Sequence, residues 1–433
     1  MFRTTPWRRV RRTAAIATAV ALSAAALTAC SSSSGAEDGQ TLKVWWYEAQ
    51  GNALDVSWNK ALEIFKEKHP DVDVEFELKT FEQIQKSGQL ILQSNDGPDV
   101  LEYNKGNATA GQVAQAGLLT DLSDVAHERG WDLDNTAQNV GLYSDEGLMG
   151  SGKRYGVTNY GEFVGVWYNR ELFEQFNLTE PKSLDEFEDI LQTFVDNGIT
   201  PLSLGSSDYF GVHLLYELAL ESMSAEDLAA YQQFDGAVDW DIWVKAATTY
   251  QEWVDKGYIS TDSTGITAQD AGNAFIAGTF PMMFTGTWWS GDLADPVEDG
   301  TVGQFLFPGT SYAPGSGGNI WVIPAKAKNK TLAADFIEIT QSDEVQDLLG
   351  ENGGLPVNAD RSKITSPIGQ LELGLFDQVL AAPDGGLALY PDFPVPGLYD
   401  VLVAQSSDLV QGNASPRQAV DAIRAAYEQG APQ

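Results

Sequence analysis

The chain of 433 residues is poor in cysteine, with one, in histidine, with three, and in basic side chains, with 26 against 61 acids. A single cysteine excludes a disulfide framework. The formal net charge of −35 argues against nucleic-acid binding, because that affinity comes mainly from Lys and Arg neutralising phosphates. It also argues against a basic patch for anionic lipids. The composition, 43% hydrophobic and 20% charged, is typical of a folded chain of two or three domains.

The few histidines give little support for a metal or catalytic centre. His69, His127 and His213 are isolated in sequence, and zinc sites need several Cys or His ligands at motif spacing. No acidic loop with a central glycine indicates calcium. Segment 147–153, GLMGSGK, has the spacing of a phosphate-binding loop, but Arg154 stands where Ser or Thr is needed and an extended segment follows. We therefore expect no metal, no nucleotide and no cofactor.

The amino terminus has the pattern of an export signal. Five arginines lie within residues 1–13, and the uncharged, alanine-rich run 14–29 follows. That run is shorter than the roughly 20 apolar residues of a membrane-spanning helix. It ends in LTAC, which resembles the lipobox of bacterial lipoproteins, where the cysteine becomes lipidated and forms the new terminus. The alternative is a chance cysteine after an ordinary cleavage site.

The lipobox resemblance implies that the mature chain begins at Cys30 with a diacylglyceryl group. Two acyl chains suffice to hold a protein stably on a membrane, here on the extracytoplasmic face of a bacterial cell. Residues 30–40, CSSSSGAEDGQ, then form a flexible Ser/Gly-rich tether between the lipidated cysteine and the folded body. Folding is expected to start near Thr41.

Strands and helices alternate along the body. Segment 42–47 is an apolar strand and 52–68 an amphipathic helix. Segment 72–78 is a strand in which Val, Phe and Leu alternate with acids, which predicts a half-buried strand with its apolar side chains toward the core. A further helix and a short strand after Pro98 complete a βαβαβ order, which predicts a parallel α/β sheet. A second α/β unit begins after Gly152.

Two later helices have clear start signals. Ser183 and Glu186 have the spacing of a capping box ahead of an apolar stripe, and Ser415 followed by Pro416 suits the start of a carboxyl-terminal helix.

Aromatic residues carry the strongest functional signal. Trp46, Tyr47 and Glu48 follow the first strand, and the carboxyl ends of strands line the ligand crevice of an open α/β sheet. Trp288 and Trp289 lie in a glycine-bracketed turn, FTGTWWSGD, where two exposed indoles would be costly without a purpose. A sugar ring presents an apolar face and an edge of hydroxyls, so it needs flat aromatic platforms beside planar polar side chains.

Five segments carry a family resemblance when they are taken in this order. They are PDVLEYNKGN (98–107), AQAGLLTDLSD (114–124), YGVTNYGEFVGVWYNRELF (155–173), AFIAGTFPMMFTGTWW (274–289) and AKNKTLAADFIEITQSDEVQ (327–346). Together they resemble carbohydrate ABC-transporter binding proteins of extracellular solute-binding protein family 1, the group of the maltose-binding protein. The resemblance covers essentially the whole mature chain.

The resemblance implies an α/β, two-lobe periplasmic-binding-protein-like fold of type II, with the ligand cleft between lobes and several hinge crossings. In proteins of this fold, the two lobes close around the ligand by a hinge motion. One lobe would hold residues 41–150 and 309–355, and the other residues 151–308 and 356–433.

The family's ligand contacts carry over to several positions, with Trp288 as the leading candidate. Asn104 has the alternative role of a strand-end cap and Asp208 that of a helix cap. Thr158 stands where the family commonly has proline, which affects the local loop. The ligand-binding residues expected are Trp46, Glu48, Asn104, Asn107, Asn159, Tyr160, Asp208, Trp288, Trp289 and Asn319, with Tyr209 as an alternative to Asp208.

These observations favour a non-enzymatic, lipid-anchored binding protein. It would capture a carbohydrate, with an oligosaccharide expected, and deliver it to membrane permease subunits of an ABC importer. A monomer is the family expectation. A surface-anchored glycoside hydrolase, using two of the many acids, and a binding protein for a non-sugar solute are the alternatives.

Overall fold

The computed structural model describes residues 40–131, 138–382 and 386–432. The expected export signal, Cys30 and the tether up to residue 39 lie outside the described residues. No helix within those described ranges is long and apolar enough to cross a membrane.

The described chain alternates strands with helices, as its periodicity predicts. The strands are β1 Thr41–Trp46, β2 Asp73–Leu78, β3 Val100–Tyr103, β4 Leu142–Tyr143, β5 Lys153–Arg154, β6 Gly156–Val157, β7 Tyr160–Asn169, β8 Leu202–Ser203, β9 Met282–Gly286, β10 Val302–Phe305, β11 Tyr312–Gly317, β12 Ile320–Val322, β13 Leu355–Pro356 and β14 Gly386–Ala388. The helices are α1 Ala53–Lys68, α2 Phe81–Gln93, α3 Gln112–Gln115, α4 Ser123–Arg129, α5 Arg170–Gln175, α6 Leu184–Asp196, α7 Tyr209–Leu220, α8 Ala225–Gln233, α9 Trp240–Asp255, α10 Ala268–Ile276, α11 Ser290–Glu298, α12 Lys330–Thr340, α13 Asp343–Glu351, α14 Pro367–Ala381, α15 Leu398–Gln411 and α16 Pro416–Gly430.

The first sheet has five strands in the order β2-β1-β3-β12-β6. Strands β1, β2 and β3 run parallel, as the βαβαβ pattern predicts, whereas β12 pairs antiparallel with both β3 and β6. Helices α1, α12 and α13 pack together on one face of this sheet. We call the first sheet with its helices the first lobe.

The second sheet follows the order β14-β11-β7-β9-β8, and β10 and β13 also pair with the long strand β7. The pairings of β7 are antiparallel, so this sheet is mixed rather than parallel. The large hydrophobic core of this lobe is covered by four helices that contact one another, α7, α9, α15 and α16. We call the second sheet with its helices the second lobe.

Strand pairing shows where the chain passes between the lobes. Strand β6 belongs to the first sheet and β7 to the second, so residues 158–159 form one crossing. Residues 318–319 form another between β11 and β12, and residues 352–354 lead from α13 to β13. The expectation of several crossings is therefore confirmed within the described residues.

Helix α1 begins and ends where the sequence predicts. Asn52 is the N-cap and accepts a hydrogen bond from the backbone N–H of Asp55 at 2.7 Å. The helix stops at Lys68, before Pro70, which has no N–H to continue it. Its predicted apolar stripe is buried, with Trp58 and Phe65 fully inaccessible to solvent.

Strand β2 differs from the expectation of a half-buried strand. It is the edge of the first sheet, and five of its six residues are exposed. Phe76 and Leu78, expected to face the core, remain 37% and 43% exposed. The reason is topological, since β2 pairs on one side only.

The later start signals are largely confirmed. Ser415 forms a reciprocal capping box with Gln418 at the start of α16. Ser183 caps α6 through the N–H of Glu186, but the Glu186 carboxylate accepts from Lys182 instead of completing a box.

Gly272 allows α10 to approach the tryptophan turn. A Cβ at this position would lie 2.0 Å from the Trp289 ring. Gly374, on the exposed side of α14, has nothing within 4 Å of the same virtual atom. Alanine at position 272 therefore tests the close packing on Trp289, and alanine at position 374 tests helix propensity alone.

We expect Gly272→Ala and Gly374→Ala to have opposite effects on stability. Overpacking against Trp289 should lower the free energy of unfolding by about 1–3 kcal/mol. Alanine at 374 should raise it by up to about 1 kcal/mol, because glycine is the poorer helix former. Urea unfolding followed by circular dichroism measures both. Equal effects of one sign would contradict the packing argument.

Candidate functional site

A cleft of about 770 Å³ lies between the two lobes. The first lobe lines it with segments that follow β1, β2 and β3, since the carboxyl ends of these parallel strands meet at one edge of the sheet. The second lobe lines it with the starts of α7 and α10, the turn after β9, and segment 390–399. The cleft is therefore a surface built jointly by both sheets.

A buried ion pair forms the floor of the cleft. The Lys105 ammonium, on the segment after β3, contacts the carboxylate of Glu162 on β7, and both side chains are almost inaccessible to solvent. Lys105 also donates to Oδ1 of Asn319 at 3.3 Å. The Asn319 amide donates to Glu48 Oε1 at 3.5 Å, and its backbone N–H donates to the Tyr160 hydroxyl at 2.9 Å. This network connects both sheets to a crossing segment.

Two buried carboxyl groups of the first lobe, those of Glu48 and Glu102, influence each other beside this floor. Burial raises the pKa of Glu102 well above its usual range, and the charge of Glu48 raises it further. Burial also raises the pKa of Glu48, while hydrogen bonds from Glu102, Asn52 and Asn319 oppose that rise. Glu48 lines the cleft, and Glu102 lies beneath it, 1% exposed. Burial and the charge of Glu48 therefore both oppose the ionisation of Glu102.

The second lobe contributes an aromatic surface centred on Trp288. Its indole is half-buried, and Nε1 donates to the Tyr209 hydroxyl at 3.2 Å. Tyr209, His213 and Tyr390 surround it with ring centroids at 5.9, 5.8 and 6.2 Å. These contacts fix the ring in place, so an incoming apolar face meets a preorganised platform.

Acidic side chains lie close to that platform. Asp208 accepts from the backbone N–H of Ala268 at 2.9 Å, and burial raises the pKa of its carboxyl to about 6. Burial also raises the pKa of Asp392 to about 6. His213 titrates in the opposite direction, since burial lowers its pKa to about 3 and leaves the imidazole neutral.

Seven of the ten residues expected to bind ligand line the cleft. The seven are Glu48, Asn104, Tyr160, Asp208, Trp288, Trp289 and Asn319. Asp208 immediately precedes α7 but makes no side-chain capping bond to it, and accepts instead from the first backbone N–H of α10. Trp289 is 5% exposed and packs on Gly272, so Trp288 is the member of the pair with an accessible ring.

The other three residues lie outside the lining of the cleft. Trp46 is fully buried, which corrects its expected accessibility: alternation along β1 turns it toward α1, where Nε1 donates to Asp55 at 3.0 Å. Asn159 is also fully buried and donates to the Thr340 hydroxyl at 2.7 Å. Asn107 accepts from the backbone N–H of Met149 at 2.7 Å. Each of the three serves local packing or a turn.

Several lining residues were not predicted from the sequence. The roles of Lys105 and Glu162 become visible only when the folded chain brings the two side chains together. A lone glutamate within the apolar strand β7 is nevertheless a signal that could have identified Glu162. Tyr390 and Asp392 lie in YPDFP, where prolines bracket aromatic residues, a pattern typical of a rigid loop. Glu82, in the first turn of α2, carries no local signal.

The described residues contain no group of three or more His, Cys, Asp or Glu side chains placed to hold a metal ion. The chemistry available in the cleft is therefore that of an aromatic platform, hydrogen-bond acceptors and carboxylates.

Comparison with known proteins gives a consistent family. The family model of the bacterial extracellular solute-binding proteins matches residues 35–347. The diacetylchitobiose binding protein DasA of Streptomyces coelicolor is 27% identical over 333 residues, which cover 74% of each chain. The multiple sugar-binding protein of Streptococcus mutans is 21% identical, over 78% of this chain and 80% of its own.

Solved structures share the fold. A chitin oligosaccharide binding protein superposes with a TM-score of 0.77 at 20% identity, over 91% of this chain and 99% of its own. A protein described in work on xylan utilization by the thermophilic bacterium Caldanaerobius polysaccharolyticus gives a TM-score of 0.77 at 19% identity, over 89% and 99%. These likenesses confirm the α/β, two-lobe fold expected from the sequence.

We expect Lys105→Met to lower the free energy of unfolding by about 3–5 kcal/mol, because it leaves the buried Glu162 carboxylate without its partner. The double variant Lys105→Met/Glu162→Leu should recover much of that loss. Asp377→Asn, which breaks the exposed pair with Arg361, is the control and should change stability by less than about 1 kcal/mol. Urea unfolding measures all three; equal losses at the buried and exposed pairs would contradict the assigned role.

Proposed function

The chain belongs to the bacterial extracellular solute-binding proteins, and from that premise we propose that its cleft captures a carbohydrate, an oligosaccharide above all, for an ABC importer. The observation that carries this proposal is the accessible Trp288 ring, which faces a cleft whose floor presents Glu48 and Asn319. An indole stacks on the C–H face of a sugar ring. Carboxylate and amide oxygens accept from its hydroxyls.

The relatives support a sugar as the solute. DasA is named for binding diacetylchitobiose, and the Streptococcus mutans relative is named for binding multiple sugars. Both matches extend over about three quarters of the chain, which includes strands of both lobes. We therefore infer the same class of ligand here.

The expectation of a binding protein rather than an enzyme is confirmed by the family. The carboxyl groups that lie together also differ from a glycosidase pair. Glu102 is 1% exposed and does not line the cleft, whereas both carboxyl groups of a glycosidase pair flank the scissile bond of the bound sugar. No hydrolytic role is therefore assigned to them.

Capture would draw the two lobes together, and the closed form would be the one that the permease subunits recognise. Ligand shifts this equilibrium only by binding the closed form more tightly. Strand pairing supports lobe boundaries at the crossings 158–159, 318–319 and 352–354. The family resemblance implies boundaries after residues 150, 308 and 355, within about ten residues of these crossings. A monomer remains the proposed state.

We expect Trp288→Ala to weaken sugar binding by about 10–100-fold, since truncating a buried aromatic anchor typically costs 2 kcal/mol or more. Isothermal titration calorimetry of the chain from Ser31 onward, across mono- and oligosaccharides, measures this. Trp288→Phe should retain most of the affinity because a ring remains. Tyr155→Ala, at a half-buried aromatic outside the cleft, is the control.

Two results would overturn the proposal. Binding of a sugar with unchanged affinity in Trp288→Ala would remove Trp288 from the site. Absence of binding across the panel, with a folded protein, would favour a non-sugar solute.

We also propose that Cys30 carries a lipid that holds the protein on the outer face of the cell membrane. The lipobox sequence LTAC supports this. Two acyl chains would give stable anchoring.

The full chain expressed in a bacterial host should enter the detergent phase of a Triton X-114 partition, and its amino-terminal peptide should carry the mass of a lipidated cysteine. Cys30→Ser should stay in the aqueous phase. The same peptide mass and phase for both chains would contradict lipidation.

A further inference from the structure

Two carboxylates face each other across the cleft from different lobes. Glu82, exposed in the first turn of α2, lines the cleft from the first lobe, and Asp208, just before α7, lines it from the second. Burial raises the pKa of Asp208, and the negative charge of Glu82 adds to that rise. The charge of Glu82 also reaches Tyr209 and Tyr399 of the second lobe. The two acids therefore place negative charge on both walls of the cleft.

No cationic side chain of the described residues neutralises this pair. Lys105, on the floor of the cleft, is bound to Glu162. Lys79 is bound to Glu77 and lies over the Trp45 ring, 3.9 Å from its centroid. Within the described chain these two lysines are the only cationic side chains that line the cleft. Asp208 is held by the backbone N–H of Ala268, and neither acid has a cationic partner among the side chains that line the cleft.

Buried polar atoms around the platform also lack partners within the described residues. They are the hydroxyls of Tyr47 and Tyr390 and Nδ1 of His213, and all three side chains are more than nine-tenths buried and line the cleft. A neutral imidazole nitrogen and a phenol oxygen both accept hydrogen bonds. Aromatic faces such as that of Trp288 attract ammonium groups as well as sugar rings. Hydrogen-bond acceptors and aromatic faces therefore line the part of the cleft next to the two acids, where no free cationic side chain lies among the described residues.

We propose that the ligand is a saccharide carrying a protonated amine, with the ammonium held between Glu82 and Asp208 beside the Trp288 platform. This inference rests on the proposed function and specifies the class of sugar. The inference predicts an order of affinity for three classes of sugar that differ in charge. Amine-bearing sugars bind most tightly, neutral sugars of the same linkage bind less tightly, and sugar acids bind least, because their carboxylate would join a like-charged pair.

Glu82 also has an ordinary structural role to be separated from recognition. A negative charge in the first turn of a helix stabilises that helix by a few tenths to 1 kcal/mol. Glu171, an exposed glutamate in the first turn of α5 that does not line the cleft, provides the matched control variant.

The experiment is calorimetry near neutral pH with three matched sets of probes. They are glucosamine, glucose and glucuronic acid; galactosamine, galactose and galacturonic acid; and chitobiose with free amines, cellobiose and cellobiuronic acid. We expect the tightest ligand of the panel to carry an amine and to bind about tenfold or more tightly than its neutral counterpart, the effect of one charge-assisted hydrogen bond.

Glu82→Gln should remove most of the amine preference, so that the affinities for the amine sugar and its neutral counterpart become similar. Glu171→Gln should keep the preference. In the unmutated protein the preference should also shrink between about 50 mM and about 500 mM salt, because Glu82 is exposed and screened. This salt series tests the inference even where the variant folds poorly.

The outcomes separate the two proposals. A neutral or acidic sugar that binds as tightly as its amine counterpart overturns the inference and leaves sugar capture standing. So does an amine preference that survives Glu82→Gln. Failure of every probe to bind the folded protein refutes sugar capture itself for these classes, and the inference with it.

Discussion

The buried ion pair between Lys105 and Glu162 sets the geometry on which the cleft depends. Each charge would be costly alone in the interior, so the two must be brought together as the protein folds. Lys105 follows a strand of the first sheet, and Glu162 lies within the longest strand of the second. Asn319, on a crossing between the sheets, accepts from the same ammonium. The pair therefore fixes the lobes and the crossing relative to one another at the floor.

This use of Lys105 determines the electrostatics of the remaining cleft. Because its charge is satisfied by Glu162, it gives little compensation to the other acids that line the walls. Burial then raises the pKa of Glu48, Asp208 and Asp392 without a cation to reverse the shift. A cleft walled by low-dielectric material concentrates such a field. The polar floor is rigid, whereas the acidic walls remain available to a ligand.

A helix could be predicted from the sequence where a helical period of apolar residues followed a clear N-cap residue. Helix α1, with Asn52 as its cap, and helix α16, with Ser415, are examples. The burial of Trp46 could not be predicted, because adjacent tryptophans on a strand face opposite sides and the sequence does not say which side is covered. Lys105 and Glu162 are 57 residues apart, so only the folded chain shows their pairing.

The position of the aromatic platform connects recognition to closure. Trp288 belongs to the second lobe, whereas Glu82 reaches the same region from the first. In the proposed binding mode, stacking on Trp288 would stabilise the bound sugar whether or not the lobes close, so by itself it would shift the equilibrium little. Only interactions that require both lobes favour the closed form. Relief of the repulsion between Glu82 and Asp208 is such an interaction, because that repulsion grows as the walls approach. A ligand that lies between these two acids therefore favours closure by the same contact that selects it.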